Sequence, residues 1–202
     1  MSKKIKLGLA QLDLTVGDFS GNQDKILKKI KKAENQDVDI LVFPELTITG
    51  YPPSDLLLRT SFIEKNQETL NNIAEKVDDI FVVLGFVHKS GDKLFNSAAL
   101  LNKNKIQNIV YKTLLPNYDV FNEKRYYTPA SENSPIEVAI KGRKIKLGLE
   151  ICEDIWNNPD QTPVTKNLVE QGAELIINIS ASPFDYNKDT IRQKLLKTKT
   201  KQ

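Results

Sequence analysis

Residues 39–45 read Asp-Ile-Leu-Val-Phe-Pro-Glu, and the fold class turns on them. A short apolar run from Asp39 to Phe43, closed by Pro44, is the signature of a buried strand, and its end delivers a carboxylate, Glu45. Upstream, DFSGNQDKILKKIKKAENQ (residues 18–36) offers Asp, Ser and Asn as cap candidates, then Ile26, Leu27, Ile30 and Ala33 at helical spacing. In front of it, Ile5 to Leu14 alternates in part, like a strand. Downstream, the spacing of Ile63, Leu70, Ile73, Ala74 and Val77 predicts a helix over 62–77, followed by a β-branched buried strand over Ile80 to Val87. Strands alternating with helices imply parallel pairing.

Further along, Leu94 to Leu101 and Ile106 to Tyr111 read as two strands joined by a hairpin turn at NKNK (102–105). Ile136 to Ile140 and Lys144 to Leu149 form a second expected hairpin around Lys141-Gly142. A helix over Val164 to Gln171 leads past Gly172 into strand Glu174 to Ile179, and a last helix begins near Lys188. Between the hairpins lies a long irregular stretch, residues 112–135, whose Tyr118, Phe121, Tyr126 and Tyr127 argue for an ordered, packed loop. The hairpins add antiparallel neighbours, so the expectation is an α/β domain with mixed sheets and helices outside.

Composition narrows the class. With 202 residues, 40% hydrophobic and 27% charged, the chain suits one soluble domain with a sizeable core, not a disordered or fibrous protein. The longest apolar stretch, Ile80 to Val87, is far below the ~18 residues of a membrane span. Gln11 and Asp13 interrupt the apolar run a signal peptide would need, so no membrane association and a cytoplasmic location are expected. One cysteine cannot form an internal disulfide, and Cys152 with the single His88 cannot build a structural zinc site; no metal is expected. Net charge is +3, but five cations sit in residues 191–202 and the remainder carries −2. That tail has no aromatics between its cations, so it reads as a solvated end and no nucleic-acid partner is expected.

In sheets of this kind ligands gather where strands end. Here ILVFP delivers Glu45, QNIVY delivers Lys112, KIKLGLEI delivers Cys152 and ELIINIS leads to Ser182. Each has a plain alternative: a surface acid, a solvated lysine, a small buried thiol. Yet Cys152 lies among Glu150, Glu153 and Asp154, whose charge would suppress a thiolate unless a cation stood close, and Lys112 is the obvious one. A carboxylate beside them could take the thiol proton, giving a Cys-Glu-Lys nucleophilic set. His88, followed by the turn-like Lys89-Ser90-Gly91-Asp92, reads as a satisfied surface histidine. The chain lacks a Walker loop, GxGxxG and an SGGxDS loop, so ATP binding by this segment is not expected.

At these residues the sequence resembles the nitrilase (carbon-nitrogen hydrolase) superfamily, and within it the glutaminase domains of glutamine-dependent NAD+ synthetases. Three motifs carry the resemblance: FPELTITGYPPSDLL (43–57), YKTLLPNYDVFNEKRYY (111–127) and LGLEICEDIW (147–156). The opening LGLAQLDLTVGDFSGN (7–22) also looks like the family's first strand and turn. The resemblance implies an α-β-β-α sandwich and a triad in which Glu45 is the general base, Cys152 the nucleophile and Lys112 the stabiliser of the oxyanion. Glu123 matches a second family glutamate that orients the triad. The implied substrate is L-glutamine, cleaved through a γ-glutamyl thioester with release of ammonia. Tyr118, Glu153, Ser182 and Lys188 would hold its amino-acid end, and Tyr51 and Trp156 are candidate pocket walls that core packing explains equally well.

The resemblance also implies that the family's catalytic domain continues past this point and is followed by a synthetase domain. Residues 1–202 are therefore expected to be a carbon-nitrogen hydrolase domain incomplete at its C-terminus. ATP and magnesium would belong to the synthetase domain, with that domain or another ammonia acceptor as partner and a homo-oligomer as the expected assembly. Two alternatives stay open: an amidase for another small amide, and a truncated, inactive remnant.

Overall fold

The run that follows Asp39 becomes β2 (Ile40–Val42), flanked by β1 (Leu7–Leu9) and β3 (Phe81–Ser90) in a five-stranded sheet of order β1-β2-β3-β4-β5. The computed structural model describes residues 4–156, 162–186 and 188–201. β1, β2 and β3 are parallel, while β4 (Lys93–Asn102) and β5 (Lys105–Tyr111) return as antiparallel hairpins. A second sheet holds β6 (Ile136–Ile140), β7 (Arg143–Ile151) and β8 (Leu175–Ile179), antiparallel and then parallel. Four helices complete the chain: α1 (Phe19–Glu34), α2 (Thr60–Ala74), α3 (Val164–Glu170) and α4 (Lys188–Lys199).

Period-2 alternation sorts the side chains into layers. Leu41, Phe43, Val82 and Leu84 pack against Ile26, Ile30, Leu70 and Ile73 of α1 and α2. From the other face Ile40, Val42, Val83 and Leu100 meet Leu147, Leu149, Ile151, Ile177 and Ile179 of the second sheet. Gly148 points the opposite way, where an added Cβ would sit 3.3 Å from Leu168 of α3. The order is therefore helix, sheet, sheet, helix: the α-β-β-α sandwich.

Asp18 is the cap that starts α1; its carboxylate accepts from Gly21 N at 2.9 Å. Two of the three hairpin tips place two consecutive residues at positive φ, Lys103-Asn104 and Lys141-Gly142, the geometry of tight two-residue turns. β1 is much shorter than the alternation from Ile5 to Leu14 suggests. A ladder cannot outrun its partner, and β2 ends at Val42; Ala10 N to Val42 O is the last bond before the chain leaves the sheet. β3 and β4 instead run longer than expected, because they pair with each other as far as Ser90 and Lys93. The basic end is not uniformly solvated: Lys199 of α4 is buried, in the field of Glu150. Among the described residues no helix is long and apolar enough to cross a membrane.

Candidate active site

Glu45, Lys112 and Cys152 all follow strand ends, of β2, β5 and β7, and the first two meet directly. Lys112 Nζ donates to Glu45 Oε1 at 2.8 Å and to Glu123 Oε1 at 2.8 Å. Asn96 Nδ2 donates to the same Glu45 oxygen at 2.7 Å, and Ala181 N, just past β8, donates to Glu45 Oε2 at 3.1 Å. Glu45 and Lys112 are each 1% exposed and Glu123 6%. One ammonium thus serves two carboxylates away from water.

That arrangement sets the charges. Burial pulls the Lys112 ammonium down, but Glu45, Cys152 and Glu123 outweigh it and hold the group well above its usual value, so it stays charged. Burial pushes the Glu123 carboxyl up and Lys112 opposes it; with Glu45 competing for the same cation, Glu123 rises to about 7. Burial also raises the Cys152 thiol, Glu45 adds to the rise and Lys112 counters it, leaving it at about 11. The resting sulfur is a thiol and needs a base to become a nucleophile.

Cys152 opens a 3-10 turn (Cys152–Ile155) with φ 47°, a left-handed conformation uncommon for a residue with a side chain. Its Sγ lies 3.5 Å from Ser182 Oγ, which is 3.1 Å from Ser180 Oγ. Behind it, Asn178 Nδ2 reaches the Cys152 carbonyl at 3.4 Å and Glu150 Oε1 at 3.3 Å, while Thr165 Oγ1 donates to Glu150 Oε2 at 2.9 Å.

Cys152 faces a cavity of about 270 Å³ lined also by Tyr118, Phe121, Glu153, Trp156, Ser182, Asp185, Lys188 and Ile191. Tyr118 Oη donates to Glu153 at 2.9 Å. Five of the six residues expected around a substrate therefore share one cavity with the sulfur. Tyr51 is the sixth and does not line it. It walls the two adjoining cavities, one beside Glu45 and one beside Glu123, and burial followed by Glu45 and Glu123 keeps its hydroxyl protonated. His88 is satisfied as expected, but half-buried: its Nδ1 is 2.7 Å from Tyr111 Oη and its ring stacks on that tyrosine.

Sequence reasoning missed Asn96, Asn178, Glu150 as a buried acceptor behind the cysteine, and the hydrogen bonds of Asp154. Asn96 carried a signal: it interrupts an apolar strand at a position that is 1% exposed. Among the described residues no three His, Cys, Asp or Glu side chains are grouped as a metal would require.

The carbon-nitrogen hydrolase family model matches residues 6–195. The chain is 40% identical over 199 residues to a glutamine-dependent NAD+ synthetase of Thermotoga maritima, covering 98% of this chain and 33% of that protein. It is 38% identical over 205 residues to one from Synechocystis, covering 94% and 36%. Among solved structures it superposes on the glutamine-dependent NAD+ synthetase of Acinetobacter baumannii with a TM-score of 0.86 and 33% identity, over 95% of this chain and 35% of that one. An amidase from Nesterenkonia shares the fold, with a TM-score of 0.79 and 22% identity over 96% and 71%. The chain spans about a third of the length of the curated relatives it matches. A sandwich of this topology, with a cysteine, a lysine and a glutamate at its strand ends and a second glutamate on the loop after β5, agrees with the family match across nearly all of its residues: the chain belongs to the carbon-nitrogen hydrolase family.

Proposed function

We propose that this chain is the glutamine amidohydrolase part of a glutamine-dependent NAD+ synthetase, releasing ammonia for amidation of deamido-NAD+. The observation that carries the reading is the shared cavity: a thiol, an acid (Glu153) and a cation (Lys188) line one pocket of amino-acid size. Glutamine brings an ammonium, a carboxylate and an amide, which these groups complement. The similarity to glutamine-dependent NAD+ synthetases, over about a third of their length, supports the same reading.

In this reaction Glu45 removes the Cys152 thiol proton and the thiolate attacks the side-chain amide carbon. Lys112, charged at neutral pH, stabilises the oxyanion that forms, a fixed cation placed where charge develops. Glu45 returns its proton to the departing nitrogen, the C–N bond breaks, and ammonia leaves a γ-glutamyl thioester. Water then attacks the thioester, giving its proton to Glu45; the C–S bond breaks, glutamate leaves, and the sulfur recovers the proton. Glu123 holds Lys112 against Glu45. Tyr118 and Glu153 receive the substrate ammonium, and Lys188 with Ser182 its carboxylate. Trp156 forms a wall of the pocket, whereas Tyr51 borders Glu45 from outside it.

ATP and magnesium belong, in this reading, to the amidation step carried by a synthetase segment outside these 202 residues. A free cysteine suits the reducing cytoplasm. Exposed Phe184 and Tyr186 beside the pocket support a homo-oligomer.

The test is Cys152→Ala in the full-length protein. Glutamate release should fall by about 10³-fold or more. NAD+ formation should persist with ammonium and fail with glutamine. Retained glutamine hydrolysis in the variant, or a wild-type preference for another amide, overturns the reading.

A further inference from the structure

Lys112 and Cys152 must act on the same carbonyl, yet they come from different sheets, after β5 and after β7. What joins those sheets is mainly apolar packing of Ile40, Val83, Leu100, Leu147, Leu149 and their neighbours. Apolar contact is non-directional, so by itself it does not fix a sulfur relative to an ammonium within a fraction of an ångström.

Asp154 supplies directed bonds at that junction. Its Oδ1 accepts from Thr113 N at 3.0 Å and Leu114 N at 2.7 Å, the two residues after Lys112. Its Oδ2 accepts from Ile151 N at 3.0 Å, the residue before Cys152. The side chain is 0% exposed and lines none of the cavities described above. Burial pushes the Asp154 carboxyl up to about 7, while the N–H groups of Leu114 and Ile151 favour its charged form. Three directed hydrogen bonds on one rigid, planar carboxyl group fix both segments to one small plane. The Glu45 to Ala181 bond also crosses between the sheets at this rim, but it reaches the segment after β8 instead of the cysteine.

We propose that Asp154 is a positioning residue that sets the separation of Lys112 from Cys152, acting through the backbone on either side without touching substrate. The proposal rests on the amide-hydrolase reading above. A misplacement of about 1 Å in such a site costs on the order of 100-fold in rate.

The experiment is Asp154→Asn in the full-length protein, an isosteric change that replaces one acceptor by a donor facing an N–H. The expected result is a kcat for glutamine hydrolysis lowered about 10- to 100-fold, with KM changed by less than about 3-fold, because ground-state contacts are untouched. Unchanged kcat, or a loss confined to KM, overturns the proposal. If the Asn variant does not fold, Asp154→Ser is measured in its place, since its hydroxyl keeps one bond and leaves room for water on the others. If neither folds, the carboxylate is a folding determinant and the proposal is rejected. A wild-type protein that spares glutamine and cleaves another amide refutes the glutamine reading alone, and the kcat–KM split is then read on that amide; one that cleaves no amide refutes both.

Discussion

At Lys112 one ammonium is shared by Glu45 and Glu123 in a site closed to water, and removing it tests the arrangement most directly. Lys112→Met keeps the length of the side chain and leaves two buried carboxylates without a counter-ion. Breaking a buried pair in this way costs about 3–5 kcal/mol when the stranded charge persists. With the cation gone, Glu123, already raised to about 7 by burial, keeps its proton in the folded state at pH values where the unfolded chain has lost it. The native state binds more protons, so stability falls as pH rises. Urea unfolding of the variant should therefore show a deficit relative to wild type that is small near about pH 5 and large near about pH 8. In wild type the same sign applies to Glu123, raised to about 7 by burial, and Glu123→Gln should flatten the stability profile between about pH 4.5 and 7. A profile in the variant as steep as that of wild type refutes the assignment. Glu45, Lys112 and Cys152 were legible because each ends an apolar run. Asp154 was not, because two of its three partners are backbone N–H groups about forty residues away, all three are main-chain groups, and no side-chain pattern marks those.

At the scale of elements, the approach of β3 to the turn carrying Glu45 leaves no room for a side chain at Gly85. A Cβ there would lie 2.4 Å from Leu46 N and 2.4 Å from Pro44 O, both backbone atoms that cannot swing away. Gly85→Ala is expected to cost about 1–3 kcal/mol or more through overpacking, and to lower kcat by displacing Glu45 from Lys112. Thermal unfolding and steady-state kinetics check the two halves; an unchanged kcat with lowered stability would mean that the turn shifts as a rigid unit. Elements themselves were largely legible, since period and capping residues are local. Strand lengths were not. β1 stops at Leu9 because β2 is short, and β3 reaches Ser90 because β4 extends beside it, so each length is a property of the pair.

At the scale of the whole molecule, alternation shows which residues share a face and says nothing of which strands share a sheet. The division into five and three strands follows from closing hairpins on parallel units; the family resemblance anticipated two stacked sheets but not how the strands divide between them. That division leaves four edges, β1, β5, β6 and β8, each hydrogen-bonded to a single strand among the described residues. Leu7 is 43% exposed and Leu9 74%, an apolar edge whose neighbouring cation, Lys6, is turned to the Gln36 carbonyl. Nearby, a cavity of about 550 Å³ opens between β1, the strand carrying Glu45 and the segment after β8. The 202-residue chain is therefore expected to self-associate along these edges as concentration rises, by mass action on unpaired backbone groups. Leu9→Lys places a charge on the edge without touching the buried core, and should shift sedimentation toward monomer while leaving the melting temperature near that of the parent. Monomeric sedimentation of the parent chain across about a hundredfold range of concentration would show that these edges are already protected, and that the apolar exposure at β1 has no consequence for assembly.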